Sequence, residues 1–219
     1  MEGVPPYTLH SGPAGLPCPS RYGGRMRKVT YYIAVTIDGY IAGPDGQADF
    51  FPWDPDLMTA MNTEQPETVP SEFRGPAGLA DAANNRFDTV LMGRGTYEPV
   101  LRQGTASPYG HLTQYVFARS LPPSADPAVR VVAEDPLDVV RDLKRQDGMD
   151  IWLCGGGALA GHLLPEIDEL MLKRYPIAIG AGIPLIAGRF GPVPFTRVHS
   201  RAFGTGAAVE TYVRVSSAP

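Results

Sequence analysis

Ile151-Trp152-Leu153-Cys154-Gly155-Gly156-Gly157-Ala158-Leu159-Ala160-Gly161 is the stretch on which the fold turns: an apolar strand runs into three glycines and then into a helix. Glycines at such a junction let the backbone approach a ligand closely, and the free N–H groups of the helix start attract anions. Gly155, Gly157 and Ala160 satisfy G-x-G-x-x-A, the dinucleotide fingerprint. A Rossmann domain does not fit, however, because its fingerprint opens the domain and further βα units follow. Here the motif comes late, and about 20 residues on, where an acidic residue is needed, the chain reads Lys173-Arg174-Tyr175. The rival reading is a tight turn that holds no ligand, although three consecutive glycines are costly in chain entropy.

Working outward, strands and helices alternate. Val29 to Val35 is β-branched and aromatic and ends at Asp38-Gly39, which predicts a buried strand. Thr89–Met92, Tyr115–Ala118, Val129–Ala133, Ile151–Cys154 and Glu169–Ile179 read as further strands. Leu57–Met61 reads as a short helix, and Leu79, Ala83 and Phe87 recur at helical spacing after Gly75-Pro76. Asp135-Pro136 supplies an N-cap and a first-turn proline for a helix carrying Leu137, Val140 and Leu143. Ala158–Leu164 is another helix, and Thr196–Phe203 and Ala208–Val215 form a hairpin across Gly204-Thr205-Gly206. This alternation predicts an α/β fold: a mixed, mostly parallel sheet with helices on both faces and a C-terminal antiparallel hairpin.

Two more strand ends carry groups suited to phosphate. Leu91-Met92 leads into Gly93-Arg94-Gly95-Thr96, and Phe117-Ala118 leads into Arg119-Ser120. Arginine offers a planar fork that matches phosphate oxygens. In an open α/β sheet ligands bind at the carboxyl ends of the strands, so agreement among three ends outweighs any one of them.

Composition narrows the function. The 219 residues suit one large domain, and a net charge of −4 disfavours a nucleic-acid backbone as partner. Only Cys18 and Cys154 are present, which excludes a disulfide framework or a cysteine-rich zinc site. His10, His111, His162 and His199 lack metal-ligand spacing, so no metal is expected. No apolar run reaches the ~20 residues of a membrane span, and a cytoplasmic protein is expected. Residues 1–25 hold five prolines and five glycines without an apolar period. They read as a flexible arm or an upstream extension before Met26, ahead of a domain over 26–219.

The run Thr36-Ile37-Asp38-Gly39-Tyr40-Ile41-Ala42, the run Met92 to Glu98 and the Gly155-Gly156-Gly157 turn, in this order, resemble the dihydrofolate-reductase-like superfamily. The similarity runs from about Met26 to Val215 and is greatest to the branch of the riboflavin-biosynthesis reductase domain and its stand-alone relatives. The segment Asp168-Glu169-Leu170 through Gly180-Ala181-Gly182-Ile183-Pro184-Leu185 is also similar to that branch. The resemblance implies an eight-stranded sheet and an NADPH-dependent reductase. By it, Gly93, Arg94 and Thr96 hold the adenosine side and pyrophosphate, and Arg119 and Ser120 meet the 2′-phosphate. Gly155, Gly156, Gly157, Ala158 and Leu159 form the second pyrophosphate turn, and Ala34 and Ile41 meet the nicotinamide amide. Thr36 departs from the branch, where Ser is usual. No H-x-E with P-C-x-x-C accompanies these motifs, so the zinc deaminase half of the bifunctional enzymes is not expected.

Hydride reduction of C=N or C=O needs a proton at the atom that gains charge. True dihydrofolate reductases place a carboxylate on the first helix, shortly after a tryptophan, and Pro52-Trp53-Asp54-Pro55-Asp56 is similar. Asp56 is the first candidate and Asp49 the second, with helix capping the competing role for Asp54 and Asp56. Trp53 is either a substrate wall or core. The reading is a reductase acting on a small heterocycle of the pterin or ribosylamino-pyrimidine class, as in riboflavin biosynthesis. The alternative is an NADP-binding sensor or scaffold without catalysis. A homodimer is expected, with the apolar Pro184–Phe195 region as its interface.

Overall fold

The computed structural model describes residues 25–124 and 126–215; the arm expected over 1–25 lies, but for Arg25, outside the described residues. Among the described residues eight strands form the main sheet. In chain order these are β1 (Val29–Thr36), β3 (Phe87–Gly93), β4 (Thr113–Phe117), β5 (Val129–Val132), β6 (Asp150–Gly155), β7 (Glu169–Tyr175), β9 (Phe195–Ala202) and β10 (Ala208–Arg214). Their spatial order is β5-β4-β3-β6-β1-β7-β10-β9. The pairs from β5 across to β7 are parallel, and β10 runs antiparallel to both of its neighbours. A small second sheet pairs β2 (Tyr40–Ala42) with β8 (Ile183–Pro184); sequence periodicity offers no handle on strands this short.

Both faces of the sheet are covered, which is why β1 reads as a continuous apolar run rather than an alternating one. On one face α4 (Pro136–Arg145) and α5 (Gly157–Leu163) bury Val140, Leu143, Leu159 and Leu163 against Val29, Tyr31 and Leu153. On the other, α1 (Pro55–Glu64) and α3 (Arg94–Arg102) bring Leu57, Met61 and Tyr97 onto Tyr32, Val90 and Trp152. A four-residue helix, α2 (Ser71–Arg74), follows a 3-10 turn at Pro66–Thr68. The amino end of the sheet is sealed by charge pairs: Arg27 with Asp88, Arg86 with Glu169 at 2.8 Å, and Lys144 with Asp168 at 2.9 Å. The carboxyl end is where the glycine-bearing turns leave the strands.

Two expectations are corrected. Leu79–Phe87 is not helical: it runs through turns, and Phe87 opens β3. Long-range bonds win over the local i→i+4 pattern, because the buried Glu67 carboxylate accepts the N–H groups of Asn85, Arg86 and Phe87 at 3.2, 2.8 and 2.8 Å. The Arg74 guanidinium adds bonds to the Pro66 and Ala82 carbonyls at 2.7 and 2.5 Å. The strand expected to reach Ile179 stops at Tyr175, since Pro176 has no N–H for the ladder.

Candidate active site

Three neighbouring strands, β4, β3 and β6, end on the same side of one cleft of about 730 Å³. At the end of β6 the chain turns sharply: Gly155 has φ +146°, and the Gly155–Gly156 peptide is cis. That φ is open to glycine and strained for other residues. Gly157 begins α5 so close to β8 that a Cβ there would overlap the Pro184 carbonyl oxygen. Gly93 and Gly155 are neighbours at ordinary contact distance: a Cβ on Gly93 would stand 3.5 Å from the Gly155 carbonyl oxygen. Gly157 therefore lets α5 start against β8, and the glycines leave main chain, not side chain, on the cleft wall.

The polar groups gather at the β3 and β4 ends. Arg94, in the first turn of α3, donates from Nε to Glu98 at 3.0 Å and from Nη1 to the Ser120 hydroxyl at 3.2 Å. This contact joins the β3 and β4 turns, which the sequence alone leaves separate. The hydrogen bond from Arg94 holds the Glu98 carboxyl below the usual carboxylate range. Arg119 and Thr96 line the cleft beside them. The N-cap of α3 is Gly93, without a side-chain cap, so its first N–H groups face the cleft uncapped and favour an anion. Ile33, Ile41 and Ile183 form an apolar wall toward the other end. A volume in the range of ligand sites, an arginine pair with hydroxyls at one end and an apolar wall at the other fit a phosphate-bearing dinucleotide.

The RibD C-terminal domain model matches residues 27–209. The chain belongs to that family. The uncharacterized protein YwjB of Bacillus subtilis (strain 168) is 34% identical over 163 residues, which cover 73% of this chain and 82% of YwjB. A putative riboflavin biosynthesis protein from Shewanella sp. PV-4 matches with TM-score 0.63 and 24% identity, over 86% of this chain and 99% of that one. The dihydrofolate reductase of Enterococcus faecalis, solved with NADP(H), matches with TM-score 0.55 and 14% identity, over 86% and 97%. The dihydrofolate-reductase-like fold of this RibD C-terminal domain agrees with the sheet order described above.

Of the cofactor residues expected from sequence, all line the cleft except Ala34 and Ser120. Ala34 packs in the core beneath it, and Ser120 bonds Arg94 at its rim. The proton-donor candidates lie elsewhere. Asp56 is exposed in the first turn of α1 and borders a separate depression with Thr59, Glu64 and Arg201. Asp49 is exposed on the loop before α1, and Trp53 is 73% exposed. Asp54 is the buried member of the group: it accepts the Leu57 N–H at 3.0 Å as the N-cap of α1 and also accepts the Thr205 hydroxyl. The Leu57 N–H, followed by Thr205, holds its carboxyl below the usual range.

Asp38 sits in the turn between β1 and β2, and its side chain ties two loops together. Its carboxylate accepts the Thr36 hydroxyl at 2.5 Å and the N–H groups of Ile179 and Gly180 at 2.9 and 2.7 Å. The Thr36 hydroxyl is the main reason its pKa lies low. Thr36 is the residue at which the chain departs from its branch, and it does the bonding a serine hydroxyl would do. Cys154 lines the cleft as a thiol, its pKa pushed up to about 11 by burial, which makes it a poor nucleophile.

Proposed function

We propose that this protein is an NADPH-dependent reductase that transfers a hydride to a small heterocycle of the pterin or ribosylamino-pyrimidine class. The observation that carries the reading is the convergence of three strand ends, Gly93–Thr96, Arg119–Ser120 and Gly155–Gly157, on one cleft. The backbone of Gly155 to Gly157, bare of side chains on the cleft wall, would take the pyrophosphate. Arg94, Arg119, Thr96 and Ser120 supply donors for the 2′-phosphate. Ile33, Ile41 and Ile183 keep water from the apolar end, where charge separation is most sensitive to solvent. The bound cofactor would supply the hydride; the chain orients it and holds the substrate against it.

The test is direct. NADPH should quench intrinsic fluorescence saturably in the micromolar range, and absorbance at the nicotinamide band should fall when a pterin or pyrimidine substrate is added. Binding without oxidation across such substrates would favour the sensor reading. Failure of NADPH to bind at millimolar concentration would overturn both.

A further inference from the structure

Cys154, which lines the cleft, also packs into an aromatic cluster on the α1 face of the sheet. Tyr32, Trp152, Tyr175, Ala34, Phe51 and Cys154 pack in one cluster there. The Tyr109 ring stands edge-on to Trp152 at 4.9 Å. Lys173, on β7, pairs in register with Ala34 on β1 and Val209 on β10. Its ammonium lies 4.5 Å from the centre of the Tyr32 ring. The ionisable groups that face it are Tyr32 of β1, Cys154 of β6 and Tyr175 of its own strand. Among the described residues no carboxylate pairs with it, whereas Lys144 is bridged to Glu166 and Asp168. A part-buried cation without a counter-charge is costly to keep, and burial lowers its pKa, which makes it a stronger acid than a surface lysine.

Among the described residues neither carboxylate near the start of α1 forms a salt bridge with Lys173. Each oxygen of Asp54 already accepts one hydrogen bond, from Leu57 and from Thr205, and Asp56 borders another depression. A substrate oxygen therefore meets in Lys173 a cation with no carboxylate competing for it, which favours an oxygen edge over an edge of protonated amino groups. Resting on the reductase reading above, we infer that the substrate is a planar compound presenting a carbonyl or anionic oxygen, and that Lys173 is the catalytic residue that binds and protonates it. In that step a C–H bond forms at the carbonyl carbon from the hydride of the reduced nicotinamide, which is oxidised. The C=O π bond breaks, its pair moves to oxygen, and the oxygen takes a proton from the Lys173 ammonium. Solvent then returns a proton to the amine.

The chain has only three lysines, Lys28, Lys144 and Lys173, so their Cε signals in lysine-labelled protein can be assigned by substitution. Two probes separate the chemistries: barbiturate, an anion edged with carbonyls, and 2,4-diaminopyrimidine, a base edged with amino groups. Each is titrated with and without NADPH into the full chain, Lys173→Met and Lys173→Arg. Lys173 should lose its proton at lower pH than an ordinary lysine, and barbiturate should shift its signal. Lys173→Met should weaken barbiturate at least tenfold, Lys173→Arg should restore it, and NADPH affinity should stay within threefold in both. Once a substrate is in hand, Lys173→Arg should bind it and turn it over poorly, since arginine does not release its proton. No barbiturate-induced shift at Lys173, or undiminished binding in Lys173→Met, would overturn the inference, as would tighter binding of the diaminopyrimidine. Barbiturate acting on Lys173 in a chain that ignores NADPH would sink the reductase reading and leave this site standing.

Discussion

Arg94 already has two partners, Glu98 and Ser120, and this sets what a phosphate must do to bind. The arginine has a further edge to offer, but the Glu98 carboxylate stands beside any incoming anion. Arg94→Ala should weaken NADPH at least tenfold and leave NADH within twofold, because charged hydrogen bonds to phosphate are among the strong ones. Glu98→Gln should tighten NADPH by a few-fold, since it removes a like charge and leaves the amide able to accept from Arg94. Fluorescence titration with both cofactors reads both variants, and equal affinity of the unaltered chain for NADPH and NADH would count against the role of these turns. Asp56→Asn should leave turnover within twofold, given its exposed position away from the cleft.

Among the elements, the start of β3 depends on a side chain far from it in sequence. Glu67 is fully buried and accepts three backbone N–H groups that have no strand partner yet. Glu67→Ala would leave those donors buried without acceptors, at about 1–3 kcal/mol for each one not reached by water. A loss of about 3 kcal/mol is expected, measured from urea midpoints at unchanged slope. The capping of α1 is similar in kind. Asp54→Ala should lower the melting temperature by a few degrees, as it frees the helix start and the Thr205 hairpin together.

Across the whole molecule, the β10 ladder carries a pH dependence. Glu210 is buried and holds Arg174 at 2.9 Å and Arg197 at 3.2 Å. The hydrogen bond from Arg174 is the main reason its pKa lies below the ordinary 4.5. A carboxylate whose pKa is lowered on folding stabilises the fold above its unfolded pKa, and that stabilisation is lost as pH falls through the folded value. The melting temperature should therefore drop steadily below pH 4.5, and Glu210→Gln should be less stable at neutrality with a shallower acid slope. The outer edge bears on assembly. Among the described residues β9 has one side of its ladder open, Val198 on it is 59% exposed, and Phe190 before it is wholly exposed. Edge strands and exposed apolar groups invite pairing, so light scattering at tens of micromolar should give twice the 23.5 kDa chain mass.

What the sequence by itself determined is whatever local chemistry dictates. β-branched runs specify β1, β3, β4 and β6; Asp135-Pro136 starts α4, with the Asp135 carboxylate accepting the Leu137 N–H at 2.8 Å; and glycine and arginine at three strand ends mark the cleft before any fold is known. The tertiary structure decided everything that depends on partners distant in the chain. Glu67 and Arg74 override the helical spacing of Leu79–Phe87 because three amide hydrogen bonds to a buried carboxylate outweigh a weak helical preference. Asp54, not Asp56, is buried because only its carboxylate reaches both the α1 start and the hairpin at Thr205. Lys173 looks like an ordinary strand lysine until the register of β1 against β7 sets it over Tyr32 beside Cys154. No pattern along the chain reports which charge will lack a partner once the sheet has closed around it.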